Sequence, residues 1–214
     1  MANELQSLDQ LFQNKLFRIP DYQRGYAWQR SQLVDFWEDL LNLQEEHYHY
    51  TGMLSLKTLK RNAIENWGTD LWMLDKGFKP CHIVDGQQRI TTFVILLNEI
   101  ICFVRSIDEN TNKSDDEIVI GYSTLKEVIA KYIFQIRPPQ NLIKTFLFGY
   151  EADNPSSEYL KYKIFKESFS GTVNETYYTK NLKFVKEFFR ENLNALYQSD
   201  GFDAINFLFL KLTQ

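Results

Sequence analysis

Along the chain, stretches whose apolar residues recur every three or four positions interleave with shorter stretches whose apolar residues alternate, so helices and strands are expected to mix. Leu5, Leu8, Leu11 and Phe12 predict a first helix within residues 3–14, and Leu16, Phe17, Arg18 and Ile19 then predict a short strand closed by Pro20. After a polar stretch over 21–30, Ser31 is the expected N-cap of a helix that carries Leu33, Phe36, Trp37, Leu40, Leu41 and Leu43 on one face and ends near Glu46. Alternation over 50–59 predicts a strand, and 70–74 offers a second, shorter one, so a hairpin with a polar connection is expected there. His82, Ile83 and Val84 form another strand that runs into Asp85 and Gly86. From Gln88 onward Ile90, Phe93, Val94, Leu96, Leu97, Ile100 and Ile101 predict a long apolar helix, which puts a strand-turn-helix junction on residues 85–89.

The polar, acidic run 108–117 reads as a loop and marks a boundary between units at 1–107 and 108–214. Beyond it, 122–137 fits either a helix or a strand, Pro138 and Pro139 stop it, and 159–169, 180–196 and 202–212 have the spacing of amphipathic helices. The apolar run from Ile205 to Leu212 is expected to pack against something, and the chain to be a piece of a longer protein. No repeat or low-complexity tract interrupts the pattern.

Composition narrows the class. Among 214 residues, 44% are hydrophobic and 17 Phe, 12 Tyr and 4 Trp are present, enough apolar surface to exclude a globally disordered chain. A chain of this length buries roughly 70% of its unfolded surface without needing staples. No window approaches the ~20 apolar residues of a membrane span and the first residues lack a basic-then-apolar leader, so a cytoplasmic chain without membrane contact is expected. The net charge of -4 argues against a uniformly basic nucleic-acid coat, so any DNA contact has to be locally concentrated. Cys81 and Cys102 form no Cys-x-x-Cys pair and are expected as reduced, buried thiols.

Two constellations carry candidate chemistry. In the first, residues 17–28, Arg18, Gln23, Arg24, Tyr22, Tyr26 and Trp28 follow a strand. Arg24 is suited to hold a phosphate bidentately, Gln23 to meet a base edge or sugar, and Tyr22, Tyr26 or Trp28 to stack on a base. The same letters also suit a core cap, with Arg18 in a surface ion pair. In the second, Asp85-Gly86-Gln87-Gln88-Arg89-Ile90-Thr91-Thr92, backbone N–H groups at a helix start favour an anion and Gly86 permits its close approach. Arg89 then adds charge, Gln87 or Gln88 orients a water or a ribose, and Asp85 holds a magnesium ion or its water shell. The alternative is that Asp85 caps the helix and Arg89 pairs with a carboxylate.

Other designs find little support. The sequence has no Walker loop, no Gly-x-Gly-x-x-Gly fingerprint and no Gly-x-Ser-x-Gly elbow. Cys81 and His82 are strand neighbours facing opposite ways, and His47 and His49 read as surface residues rather than metal ligands. Thr51 or the Gly52 backbone could meet a ligand, or Tyr50-Thr51-Gly52 could be a strand-initiating turn; Tyr177, Tyr178, Lys180 and Asn181 read as capping and packing at the start of a late helix.

Taken together, Ile19-Pro20-x-Tyr22-Gln23-Arg24-x-Tyr26-x-Trp28, Tyr50-x-Gly52 and Val84-Asp85-Gly86-Gln87-Gln88-Arg89-x-Thr91-Thr92 resemble the N-terminal domain of GmrSD-type restriction endonucleases, closely over about the first 105 residues. The resemblance implies an α/β (α+β) fold: a ParB/sulfiredoxin-like core with a small sheet over 1–107, followed by a mainly helical region over 108–214. It implies nucleoside triphosphate (NTP) binding and magnesium-dependent hydrolysis coupled to restriction of modified DNA in bacterial phage defence. Catalytic roles then fall to Asp85, Gln87, Gln88 and Arg89, and nucleotide binding to Gln23, Arg24, Gly86, Thr91, Tyr22, Tyr26 and Trp28, with Asp85 as the magnesium ligand. Such a domain works with a nuclease domain or subunit, and a homo-oligomer is one arrangement it could take. No histidine follows residue 110, so the second half does not supply a His-dependent nuclease. The competing reading is a DNA-binding or modified-DNA-reading module without turnover that uses Arg18, Arg24 and the rings.

Overall fold

The computed structural model describes residues 5–44, 51–139 and 143–213. The first half holds α1 (Leu8–Leu11), β1 (Lys15–Ile19), α2 (Arg30–Asn42), β2 (Ser55–Thr58), α3 (Trp72–Asp75), β3 (Lys79–Asp85) and α4 (Gln87–Ser106). The second holds β4 (Val119–Ile120), β5 (Ser123–Thr124), α5 (Leu125–Tyr132), β6 (Phe134–Ile136), β7 (Lys144–Phe146), β8 (Phe148–Tyr150), α6 (Ser157–Tyr159) and α7 (Tyr177–Thr213). The fold is mixed α/β, with a small mixed sheet and a helical C-terminal region.

The main sheet has the order β2-β3-β1-β8. Strand β1 runs parallel to both β3 and β8, with Phe17 opposite Cys81 and Phe148, whereas β2 is antiparallel to β3. One face, with Phe17, Ile19, Cys81 and Ile83, joins a core built from α4, α5 and α7, in which Phe93, Val94, Leu97, Val128 and Phe189 are buried. The other face is covered by a smaller cluster in which Leu16 meets Trp72, Met73 and Leu147. Since side chains alternate along a strand, Leu16 and Arg18 share this second face.

Several local expectations change. The first helix is a single turn: Ser7 and Gln10 form a reciprocal capping box, and Asn14 at φ 51 ends the turn region before β1. Helix α2 has Gln29 as its N-cap, whose N–H is accepted by the Gln32 side chain at 2.9 Å, so Ser31 lies inside the first turn rather than capping it. Residues 65–71 form 3₁₀ turns that lead into α3, so the strand expected at 70–74 is helical. An apolar run this short has no decisive period, and burying Trp72 and Met73 on the sheet decides its conformation. The hairpin partner of β2 is β3.

The ambiguous stretch 122–137 resolves into β5, α5 and β6, with Thr124 and Glu127 capping α5. In 159–169 only α6 and a π turn over Leu160–Ile164 form. The two late helices join into α7, interrupted at Gly201, whose φ of 75 and ψ of -165 are not helical. The apolar residues Ile205, Leu208, Phe209 and Leu212 pack into the chain's own core. Among the described residues, no helix is long and apolar enough to cross a membrane. Cys81 is free and buried, and Cys102 is free but only half-buried.

Candidate functional site

The carboxyl ends of the parallel strands β3, β1 and β8 lie side by side, the position at which open α/β sheets place ligands. The chain leaves β1 through loop 20–28 and leaves β3 through Asp85 and Gly86 straight into α4. Gly86 adopts φ 85, which lets the strand turn into the helix at once, and no side chain caps α4 there. The N–H groups of Gln87, Gln88 and Arg89 therefore have no intrahelical acceptor and stand at the positive pole of a 20-residue helix. Asp85 is exposed and turns Oδ1 back to the Gly86 N–H at 2.8 Å.

The two motifs meet at this turn. Gln23 donates Nε2 to the Val84 carbonyl at 3.0 Å and accepts from Gln87 Nε2 at 3.3 Å. Gln88 accepts the Ala27 N–H at 2.7 Å and donates to the Gly25 carbonyl at 3.2 Å. Below them, the Thr92 hydroxyl donates to the Gln88 carbonyl at 2.9 Å, so its one proton is engaged and it accepts from the Tyr26 hydroxyl at 2.7 Å. Tyr26 is fully buried, and desolvation pushes its pKa above the ordinary range. Thr91, also buried, shares a 3.0 Å hydrogen bond with the Tyr150 hydroxyl.

The second half of the chain fastens the loop. Ser156 Oγ accepts the Tyr26 N–H at 2.9 Å, and Asn181 donates to the Tyr26 carbonyl at 3.2 Å. Asn154 donates to the Gln23 carbonyl at 2.9 Å. Gly25 has no room for a side chain, because a Cβ would lie 2.6 Å from both Ser156 Oγ and the Tyr178 ring. Sequence reasoning missed Asn154 and Ser156 altogether and read Asn181 only as part of a helix start. The turn residues Asn154-Pro155-Ser156 are visible in the letters, but their partner loop is not.

The expected site residues thus divide by position. Gln23, Asp85, Gly86, Gln87, Gln88 and Arg89 gather at the turn, while Tyr26 and Thr91 lie inside the fold beneath it. Trp28 is half-buried against Phe36, with ring centroids 6.2 Å apart. Tyr22 is 74% exposed, and Arg24 is exposed with no polar partner among the described residues. The Oε1 atom of Gln87 is buried without a hydrogen-bond partner. Arg89 directs its two Nη groups to the carbonyls of Thr51 and Met53.

On the second face of the sheet, Arg18 is buried, paired with Asp70 at 2.6 Å and lying over the Trp67 ring at 5.2 Å. It is therefore not the surface ion pair the sequence suggested, and its guanidinium is enclosed in this arrangement. Next to it, His82 meets Glu151 at 2.8 Å, and the other oxygen of Glu151 accepts the Asp21 N–H at 3.2 Å. Burial, followed by the nearby carboxylates of Glu151 and Asp153, raises the pKa of Asp21. Among the described residues, no group of three or more His, Cys, Asp or Glu side chains could hold a metal ion. His47, His49 and Tyr50 lie outside the described residues.

The paired loop and helix-start motifs sit on a mixed α/β fold with a small sheet, and comparison with known families gives it a place. The family described as GmrSD restriction endonuclease, N-terminal domain, matches residues 8–214, and the chain belongs to that family. No curated protein matches the chain.

Proposed function

We propose that this chain is the NTP-binding and NTP-hydrolysing sensor domain of a modification-dependent restriction system, with DNA cleaved by a separate nuclease domain or subunit. The observation that carries this reading is the uncapped start of α4, reached through Gly86 and locked to loop 20–28 at the carboxyl ends of parallel strands. Free N–H groups at a helix N-terminus suit phosphate oxygens, and Arg24 and Arg89 bring charge to the same edge. Tyr22, with its ring in solvent, is suited by exposure and ring type to stack on a base.

The remaining roles follow from hydrogen-bond capacity. Gln88 is engaged at both ends by Gly25 and Ala27, so it holds the loop. Gln87 keeps an unused acceptor oxygen, suited to a water or a ribose hydroxyl. Asp85 offers the exposed carboxylate of the site, and one carboxylate together with phosphate oxygens and water is a common magnesium environment. Bound to the phosphates, the ion would supply charge neutralisation. Nucleotide occupancy that favours one domain arrangement over another would license the nuclease.

Magnesium-dependent phosphate release, followed for wild type, Asp85→Ala and Arg24→Ala, tests the reading. Both exposed positions leave the fold intact, and turnover is expected to fall by at least tenfold in each; unchanged turnover in both variants contradicts the assignment. Exposed Arg24 and Tyr22 would also suit a DNA backbone and an unstacked base. DNA affinity that falls steeply with salt, with no nucleotide turnover, would favour that second reading.

A further inference from the structure

We propose that the strap of residues 51–54 positions Arg89 for a phosphate group, and that Gly52 is the positioning residue of this contact; the proposal rests on the α4 N-terminus being a phosphate seat. The Arg89 guanidinium donates through Nη1 to the Thr51 carbonyl and through Nη2 to the Met53 carbonyl. These carbonyls flank Gly52, whose φ is 99. A Cβ on residue 52 would lie 1.8 Å from Nη1, closer than any non-bonded atom can come. Only glycine lets both carbonyls close on one guanidinium.

The strap also seats on the turn. A Cβ on Gly86, itself at φ 85, would lie 2.9 Å from Leu54 Cδ1 and 3.2 Å from the Met53 carbonyl oxygen. Two left-handed glycines from separate motifs thus interlock at the start of α4. The consequence for Arg89 is electrostatic as well as geometric. Carbonyl acceptors carry no net charge, and among the described residues Arg89 has no ion pair, so its positive charge is not neutralised by this grip. A guanidinium has five N–H donors in one rigid plane, and the two carbonyls leave three of them unused. Its side chain is ordered before any ligand arrives, which lowers the entropic cost of gripping a phosphate.

A purely structural glycine and a positioning glycine differ in what they are coupled to. Gly77 provides the comparison: at φ 88 it has the same backbone requirement, but a Cβ there would meet nothing within 4 Å. Titration calorimetry with magnesium tripolyphosphate, a probe without a base, is the measurement, made on wild type, Gly52→Ala, Gly77→Ala, Arg89→Ala and the Gly52→Ala/Arg89→Ala pair. Gly52→Ala and Arg89→Ala are each expected to weaken binding about ten- to a hundredfold. The pair should bind no more weakly than Arg89→Ala alone, because Gly52 acts through Arg89. Gly77→Ala should lower the melting temperature while keeping wild-type affinity.

Wild-type affinity in Gly52→Ala, or additive losses in the pair, would overturn the positioning role while leaving the seat in place. No binding to wild type would overturn the seat itself and the proposal with it. Should Gly52→Ala not fold, Arg89→Lys keeps the charge and removes the fork. Faster amide exchange at 51–54 together with weakened binding then supports the proposal, and faster exchange with unchanged binding overturns it.

Discussion

The side chain of Gln88 accepts the backbone N–H of Ala27 at 2.7 Å across 61 residues of sequence. A glutamine beside the helix start is thus a structural tie whose second end holds the Gly25 carbonyl. Gln88 is buried, so its removal would leave both backbone groups without a partner. Replacing Gln88 with Leu is expected to destabilise the fold by about 1–3 kcal/mol, read from urea unfolding. Gln88→Glu keeps an acceptor for Ala27 but loses the donor to Gly25, and should also be destabilised.

A second tie holds the cover on the sheet. Arg18 is buried between Asp70, Trp67 and the carbonyls of Phe17 and Phe146. Asp70→Ala would leave a buried cation without its counter-charge, and a loss of about 3 kcal/mol in urea unfolding is expected. Because Arg18 is enclosed, Arg18→Met should leave the salt dependence of any DNA binding unchanged. A shallower salt slope in that variant would show that the face opens.

How much of this was visible in the letters differs from element to element. Helix α4 was legible because its apolar residues cover nearly every face over five turns, a signal no strand produces. Strand β8 was not, since three residues amid turns carry no period, and only pairing with β1 makes them a strand. The helical outcome at 70–74 likewise depended on Leu16 and Leu147, which lie far away in sequence. At the site, the motif letters and the turn at Asp85 and Gly86 were readable. The division of labour was not. Whether a glutamine ties another side chain, as Gln87 does, or two backbone groups, as Gln88 does, depends on which side of the helix start the loop approaches. The burial of Tyr26 and Thr91 follows from the same approach, with α7 and the 154–156 turn closing over the loop.

Acid sensitivity offers a test of loop 20–28 without any ligand. Asp21 has its pKa raised above 3.8 by burial and by Glu151 and Asp153, while its Oδ1 accepts the Asp153 N–H at 3.1 Å. A carboxyl group with a raised folded-state pKa binds its proton more tightly when folded. It therefore lowers stability as pH rises through the window above 3.8, and the full penalty is present at pH 7. Asn keeps the accepting oxygen and removes the charge. Asp21→Asn is expected to raise the melting temperature slightly at pH 7, and the difference should vanish below pH 3.8. A variant less stable than wild type at pH 7 would contradict this electrostatic account.

On the proposed function, the start of α4 and loop 20–28 together form a nucleotide seat. Thermal unfolding of the purified chain with magnesium and each of ATP, GTP, CTP and UTP tests it most directly. At a hundredfold excess over Kd, a ligand that binds only the folded state adds about 2.7 kcal/mol, a rise of roughly 5–10 °C for a chain of this size. The account predicts such a rise with at least one of the four nucleotides, lost in Arg24→Ala and Asp85→Ala. An unchanged melting temperature with all four at saturating concentrations would contradict it.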